Sequence, residues 1–407
     1  MKTPWLSVIG IGEDGVEGLS SLARQIVRQA EFVMGGERHL ELAASLISGQ
    51  AEPWGSPFSS GVRRVLERRG QPVTVVLASG DPFCFGVGST LARHIPPEEM
   101  LCVPAPSSIS WACGRLGWAE QDVRVVSLCG RPIETLVPHL HRTMRLIVLS
   151  EDGSTPRKVS QFLTGRGFGP SRIHVMERVG GFNEQSRVIV ASDGLEDVDP
   201  LNLMGIEIEA APGARMIPLS SGLEDDLFEH DGQITKREIR AVTLSTLAPH
   251  PGELLWDIGG GAGSVAIEWM LHHPANRAIV IEKNPLRAAR IARNALNLGV
   301  PGLKVVEGIA PDALPELERP DVVFIGGGLA QVDIFLQARS ALPVGGRLVA
   351  NAVTLEGEAV LSAQYTRYGG TLTRIGVERL DAVGGLHAFR PAMRVTQYAT
   401  VISEDRL

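Results

Sequence analysis

Long apolar runs are missing from this chain. No stretch approaches the ~18 consecutive apolar residues of a membrane-crossing helix, so no membrane partner is expected. The opening, MKTPWLSVIGIGED, alternates like a strand and soon turns acidic, unlike a secretory leader, and a cytoplasmic location is expected. Cysteine is scarce. Cys84, Cys102, Cys113 and Cys129 are spaced by 18, 11 and 16 residues, which leaves no CxxC pair and no zinc pattern. In a chain of 407 residues that needs no covalent staples, they read as reduced thiols, mostly buried. There is no Gly-Lys dipeptide, which excludes a standard Walker A loop, and no HExxH or GxSxG; no metal is expected. Lysine is rare too, five of the 39 cations, and no basic stripe offsets the net charge of −7, so nucleic acid is not an expected partner. Arginine supplies the other 34, and its planar fork leaves room for a ligand that carries carboxylates.

What is present is punctuated α/β patterning. The 46 glycines and 26 prolines fall in short clusters, and the length suits two or three domains. Residues 216–232 hold five acids and no Lys or Arg; the flanks carry 21 cations to 24 anions (1–215) and 18 to 17 (233–407). This acidic stretch is expected to be a linker between a first domain, 1–215, and a second, 233–407. In the second, strands are expected at Leu254–Ile258, Ala278–Ile281, Leu303–Val306, Asp321–Ile325 and Arg347–Ala350, alternating with amphipathic helices, as in a parallel sheet covered on both faces. Two alternating segments, Leu372–Leu380 and Met393–Ile402, joined by a Gly-rich loop, are expected to finish the sheet as an antiparallel pair. In the first domain, strands are expected at Leu6–Ile9, Thr74–Ala78, Val123–Ser127, Leu146–Leu149 and Ile173–Glu177. Breaks at Pro96–Pro97 and Pro104–Pro106 suggest two lobes.

The sharpest motif is LLWDIGGGAGSVAIEWM, residues 254–270. A strand ends near Asp257, glycines let the backbone approach a ligand, and a helix beginning near Ser264 offers unpaired N–H groups to an anion. Glu282, 25 residues after Asp257, closes the next strand, where an acid can accept hydrogen bonds from ribose hydroxyls. Gly261-x-Gly263 followed by Ala266 matches the dinucleotide pattern formally. Asp257-Ile-Gly259-Gly260-Gly261-Ala262-Gly263 matches the methyltransferase version throughout, with S-adenosyl-L-methionine as cofactor. A glycine-rich turn that binds nothing is the third reading.

The second domain resembles the methyltransferases that act on C15 of precorrins and decarboxylate them in cobalamin synthesis. The matching segments are GQITKREIRA (232–241), DIGGGAGSVAIE (257–268), EGIAPDAL (307–314), FIGGG (324–328) and NAVTLE (351–356). The resemblance implies a Rossmann-like class I methyltransferase fold, with the cofactor held by Gly259–Gly263, Glu282, Ala310 and Thr235. The first domain resembles the tetrapyrrole (corrin/porphyrin) methylases through VIGIGEDGVEGLS (8–20), LASGDPFCFGVG (77–88) and VPAPSSIS (103–110). It departs from them at Glu13, where Pro is common, and at Gly15, where Asp is common. That resemblance implies a different, two-lobed fold, with Gly10, Gly12, Gly80, Asp81, Ser107 and Ser108 near the cofactor and Asp81 as a functional carboxylate. Read from the residues alone, Ser79-Gly80-Asp81-Pro82 is also an ordinary tight turn.

Joined in this order, the halves imply a fused enzyme that methylates a precorrin at C5 and C15 and removes CO₂ from the C12 acetate. A homo-oligomer is implied by the relatives of the second domain. The substrate's carboxylates need cations, and His387, Arg390 and Arg394, in the expected loop between the last two strands, are the leading candidates; Arg131 and Arg178 follow. Two rivals remain. The first-domain fold also serves some ribosomal RNA methyltransferases, against which the missing basic stripe argues. An NAD-dependent or nucleotide-sensing protein could use the same βα loop, against which the Asp257-x-Gly259 spacing argues.

Overall fold

The computed structural model describes residues 4–71 and 73–404. The chain divides into two compact units, one of 1–133 with 139–215, the other of 134–138 with 216–407. No helix among the described residues is long and apolar enough to cross a membrane.

The first unit contains two sheets. Strands β1 (Leu6–Ile11), β2 (Phe32–Gly35), β3 (Gln50–Pro53), β4 (Thr74–Ser79) and β5 (Met100–Val103) form a parallel sheet in the order β3-β2-β4-β1-β5. Alternation sends side chains to opposite faces. Ile9, Ile11, Val33, Val75 and Leu77 enter one buried cluster; Leu6, Val8, Phe32, Met34, Val76 and Ala78 enter another. Both faces are therefore covered, as parallel sheets require. Strands β6 (Arg124–Ser127), β7 (Arg145–Leu149), β8 (Arg172–Glu177), β9 (Gln185–Val190) and β10 (Asn202–Glu207) form a mixed second sheet in the order β6-β7-β10-β8-β9. The expected strands are all present. Short β2, β3 and β5 and exposed β9 lacked a pattern long or regular enough to declare them.

The second unit is one seven-stranded sheet and a hairpin. Its strands are β11 (Leu254–Ile258), β12 (Arg277–Glu282), β13 (Lys304–Glu307), β14 (Val322–Ile325), β15 (Arg347–Ala352), β16 (Thr371–Ile375), β17 (Glu378–Val383), β18 (Leu386–Pro391) and β19 (Val395–Val401). The sheet order is β13-β12-β11-β14-β15-β19-β16, with β19 antiparallel to both neighbours. Trp256, Phe335 and Tyr398 anchor one covered face. Strand order reverses between β11 and β14, and ligands of open α/β sheets bind at the carboxyl ends of the strands flanking such a reversal.

One expectation is corrected here, and one segment is described more closely. The Gly-rich connection before the last strand is itself a separate hairpin, β17–β18, turning at Gly384-Gly385. Gly376 follows β16 and splits the expected Leu372–Leu380 segment, with Ile375 and Val377 alternating across it. The acidic stretch 216–232 is no free tether. Leu223 and Phe228 are buried, and the amides of Gly222 and Leu223 donate to Glu268 at 2.7 and 3.0 Å. Glu268 in turn pairs with Arg240, at 2.5 Å and fully buried, which also donates to the carbonyls of Leu223 and Thr235. The buried guanidinium and the apolar residues between the acids bind the stretch down.

Candidate functional site

In the second unit the site is built at the carboxyl end of β11. Gly259 follows the strand with φ +80°, and a Cβ there would lie 2.9 Å from the Gly327 amide nitrogen, so only glycine fits. The amides of Gly259 and Gly260 both donate to the Ile281 carbonyl, at 3.0 and 3.3 Å, which ties the loop to the end of β12. Glu282 follows at once. Its side chain is buried; Oε2 accepts from the Gly261 amide at 3.0 Å and Oε1 from the Asn284 amide at 2.9 Å. Each oxygen keeps a second lone pair for a ligand.

A cavity of about 740 Å³ opens over this loop. Thr235, Gly259, Gly260, Gly261, Glu282 and Ala310, all expected at the site, line it. Gly326–Gly328 after β14, Asn351 at the end of β15, and apolar Phe324, Ile334, Val353 and Val395 also line it. Asp257, Ala262 and Gly263 are not among its lining residues. Asp257 is 2% exposed and accepts from the Ala266 amide at 3.2 Å, within the first turn of helix Ser264–His272. Burial pushes its carboxyl up to about 7; the Ala266 N–H opposes this and the Glu282 charge adds to it. Asp257 thus braces the loop from beneath.

The cations expected from the tail are not at this cavity. His387 and Arg390 lie on β18, every residue of which is exposed, and Arg390 pairs with Asp381 across the hairpin at 3.2 Å. Arg394, also exposed, precedes β19. Because the presumed loop is a hairpin carrying these residues outward, Arg379 on β17 lines the cavity in their place and pairs with Glu238; Lys236, Lys283 and Arg287 line it as well. Sequence reasoning missed all four, and it missed Asn351 although NAVTLE had been singled out.

In the first unit the expected residues gather at the carboxyl ends of three adjacent parallel strands. Gly10 is near the end of β1, where a Cβ would meet the Gly80 carbonyl oxygen at 1.9 Å; the Gly80 amide donates to the Ile11 carbonyl at 3.0 Å. The Ala105 amide, beyond β5, donates to the Gly80 carbonyl at 3.2 Å. Gly12 and Asp81 follow β1 and β4. Ser107 caps helix Ser108–Leu116, accepting from the Ser110 amide at 3.1 Å, and Ser108 begins it. One oxygen of Asp81 accepts from the Phe83 amide at 2.8 Å, so the turn reading of this motif holds as well. Arg178 is held by Asp199 at 2.8 Å and approaches Glu13 at 3.7 Å; Arg131 is exposed. A cluster not anticipated lies close by: Arg38 donates to Glu13 and lies 3.0 Å from His39, whose imidazole is pushed down to about 4 by burial and by the Arg38 charge.

Comparison with known proteins covers both units. The family described as tetrapyrrole (corrin/porphyrin) methylases matches residues 6–193, and the precorrin methyltransferase domain family matches 226–402. A precorrin-6Y C(5,15)-methyltransferase [decarboxylating] of Sinorhizobium sp is 56% identical over 398 residues, spanning 98% of this chain and 96% of that one. A protein of the same name from Mycobacterium tuberculosis (strain CDC 1551 / Oshkosh) is 39% identical over 398 residues, spanning 96% and 98%. The solved C-terminal domain of precorrin-6Y C5,15-methyltransferase from Rhodobacter capsulatus is 42% identical over 46% of this chain and 100% of its own, with a TM-score of 0.44.

Proposed function

The chain belongs to the precorrin-6Y C(5,15)-methyltransferase (decarboxylating) family, and from that membership we propose how its two units divide the reaction. The protein is a methyltransferase of cobalamin biosynthesis that methylates a precorrin at C5 and C15 and decarboxylates it. In this reading S-adenosyl-L-methionine binds once in each unit. The second unit methylates C15 and removes CO₂ from the C12 acetate, and the first unit methylates C5. Two unrelated families matching the two units support the division.

The cofactor supplies an electrophilic methyl group on sulfur. The residues of the second unit suit it. Glu282, on the cavity wall, keeps lone pairs that would accept from the two ribose hydroxyls, and the Gly259–Gly261 loop packs so closely on Gly327, Val280 and Gln233 that a Cβ would clash. The wall from Gln233 to Lys236 is fastened through Arg240. The protein forms no covalent bond to the substrate in this account. The meso carbon is already nucleophilic, and the cavity aligns it, a contribution of roughly 7–11 kcal/mol at best. In the first unit, Gly10, Gly12, Gly80, Asp81, Ser107 and Ser108 would form the second cofactor cradle. We also read the chain as a homo-oligomer; the exposed apolar pair Leu380 and Phe389, facing each other across the hairpin, supports this.

The observation that carries the reading is the buried Glu282 carboxylate bonded to the glycine loop on the wall of the large cavity. Replacing it tests the reading. Glu282→Ala should weaken S-adenosylhomocysteine binding in the second unit by about 10- to 100-fold, the worth of a hydrogen bond or two to a charged group. C15 methylation and CO₂ loss should fall with it, while one binding event per chain survives. Loss of binding at both sites would count against the map.

A further inference from the structure

A buried polar triad stands behind one wall of the second unit's cavity. Thr243 comes from helix Arg237–Leu247, Asn351 from β15 and Gln397 from β19; Thr243 and Gln397 are buried and Asn351 lines the cavity. Its protons are fixed by counting donors. The Thr243 hydroxyl gives its single hydrogen to the Ile239 carbonyl at 2.7 Å, so its oxygen can otherwise only accept. It accepts from Asn351 Nδ2 at 2.9 Å and from Gln397 Nε2 at 3.2 Å. Gln397 Nε2 gives its other hydrogen to Asn351 Oδ1 at 3.0 Å. Asn351 is thereby locked, Oδ1 toward Gln397 and Nδ2 toward Thr243. The second hydrogen of Nδ2 has no partner among the described residues. Val353, just past β15, and Val395 line the same cavity, and by strand alternation Val395 leaves the sheet on the same face as Asn351 and Gln397. The cavity's cations, Lys236, Lys283, Arg287 and Arg379, belong to neither β15 nor β19.

A neutral, oriented N–H beside valines suits one step of the reaction. In decarboxylation the bond between the acetate CH₂ and its carboxylate breaks and CO₂ leaves. The electron pair passes into the macrocycle, and the CH₂ takes a proton from solvent to become a methyl group. Negative charge leaves the carboxylate during this step, so a cation paired to it would stabilise the ground state more than the transition state. One neutral donor on an apolar wall orients the group without that penalty. Resting on the function proposed above, we propose that Asn351, locked by Thr243 and Gln397, receives the acetate carboxylate that is lost, while the cavity's cations hold carboxylates that are kept. Thr243 and Gln397 act as positioning residues.

The test uses the full-length protein with its precorrin substrate and S-adenosylmethionine, counting methyl groups gained and CO₂ lost by mass spectrometry. Asn351→Leu and the isosteric Asn351→Asp are compared with wild type, and S-adenosylhomocysteine affinity is measured for each. Decarboxylation should slow by roughly 10- to 100-fold relative to C15 methylation, the scale of a lost orienting contact. A methylated product that keeps its carboxylate should accumulate, with S-adenosylhomocysteine affinity unchanged. Gln397→Leu should show the same imbalance, smaller. A variant that binds S-adenosylhomocysteine normally yet loses CO₂ with each C15 methyl at the wild-type rate would overturn the proposal. So would equal loss of both activities. A Glu282→Ala protein that keeps C15 methylation and loses C5 methylation would instead remove the division of function on which the proposal rests.

Discussion

Asp257 and Glu282 stand at the ends of neighbouring strands, and they differ in what reaches them. Glu282 lines the cavity; Asp257 is sealed beneath the loop. Burial, helped by the Glu282 charge, moves the Asp257 carboxyl from an ordinary 3.8 to about 7. Between these values the folded protein keeps a proton that the unfolded chain has released. Stability therefore falls as pH rises from about 4 to about 7 and levels off above, with a slope of at most about 1.4 kcal/mol per pH unit. Asp257→Asn keeps an acceptor for the Ala266 amide and removes the slope. Urea unfolding at pH 5 and pH 7, followed through buried Trp256 and Trp269, should show the variant gaining on wild type as pH rises. Parallel pH dependences would contradict this. At this scale the loop was legible, because strand end, turn and helix start all lie within residues 254–270. Which of its residues line the cavity was not, because burial of Asp257 depends on the elements packed around it. Asn351 was hidden more completely: its partners Thr243 and Gln397 are 154 residues apart and meet only once the sheet has formed.

Among the elements, the strap 222–235 and the hairpin β17–β18 differ most from expectation. The strap's hold on the unit is the Arg240–Glu268 pair, both partners almost wholly buried. Removing one member of such a pair leaves a buried charge uncompensated, at a cost of about 3–5 kcal/mol. Glu268→Gln should destabilise the second unit by that order and expose residues 216–232 to limited proteolysis. An unfolding curve and digestion pattern like those of wild type would contradict the anchoring. The hairpin was readable in principle, since Gly384-Gly385 between alternating segments is a two-residue turn signal. It was masked by Ile375 and Val377 flanking Gly376 as in one continuous strand, and the positions of His387, Arg390 and Arg394 were misjudged with it.

For the whole molecule, two compact units carry two different fold patterns, each with its expected glycines at the carboxyl ends of parallel strands. C15 and the C12 acetate can share one electronic sink in one pocket, whereas C5 lies across the macrocycle, and under the proposed division a second pocket serves it. The central claim is therefore one S-adenosylmethionine site per unit. Isothermal titration of the intact chain with S-adenosylhomocysteine measures this directly. The account predicts two sites per chain, of which Glu282→Ala weakens one. A stoichiometry of one, in protein shown to methylate both C5 and C15, would contradict it.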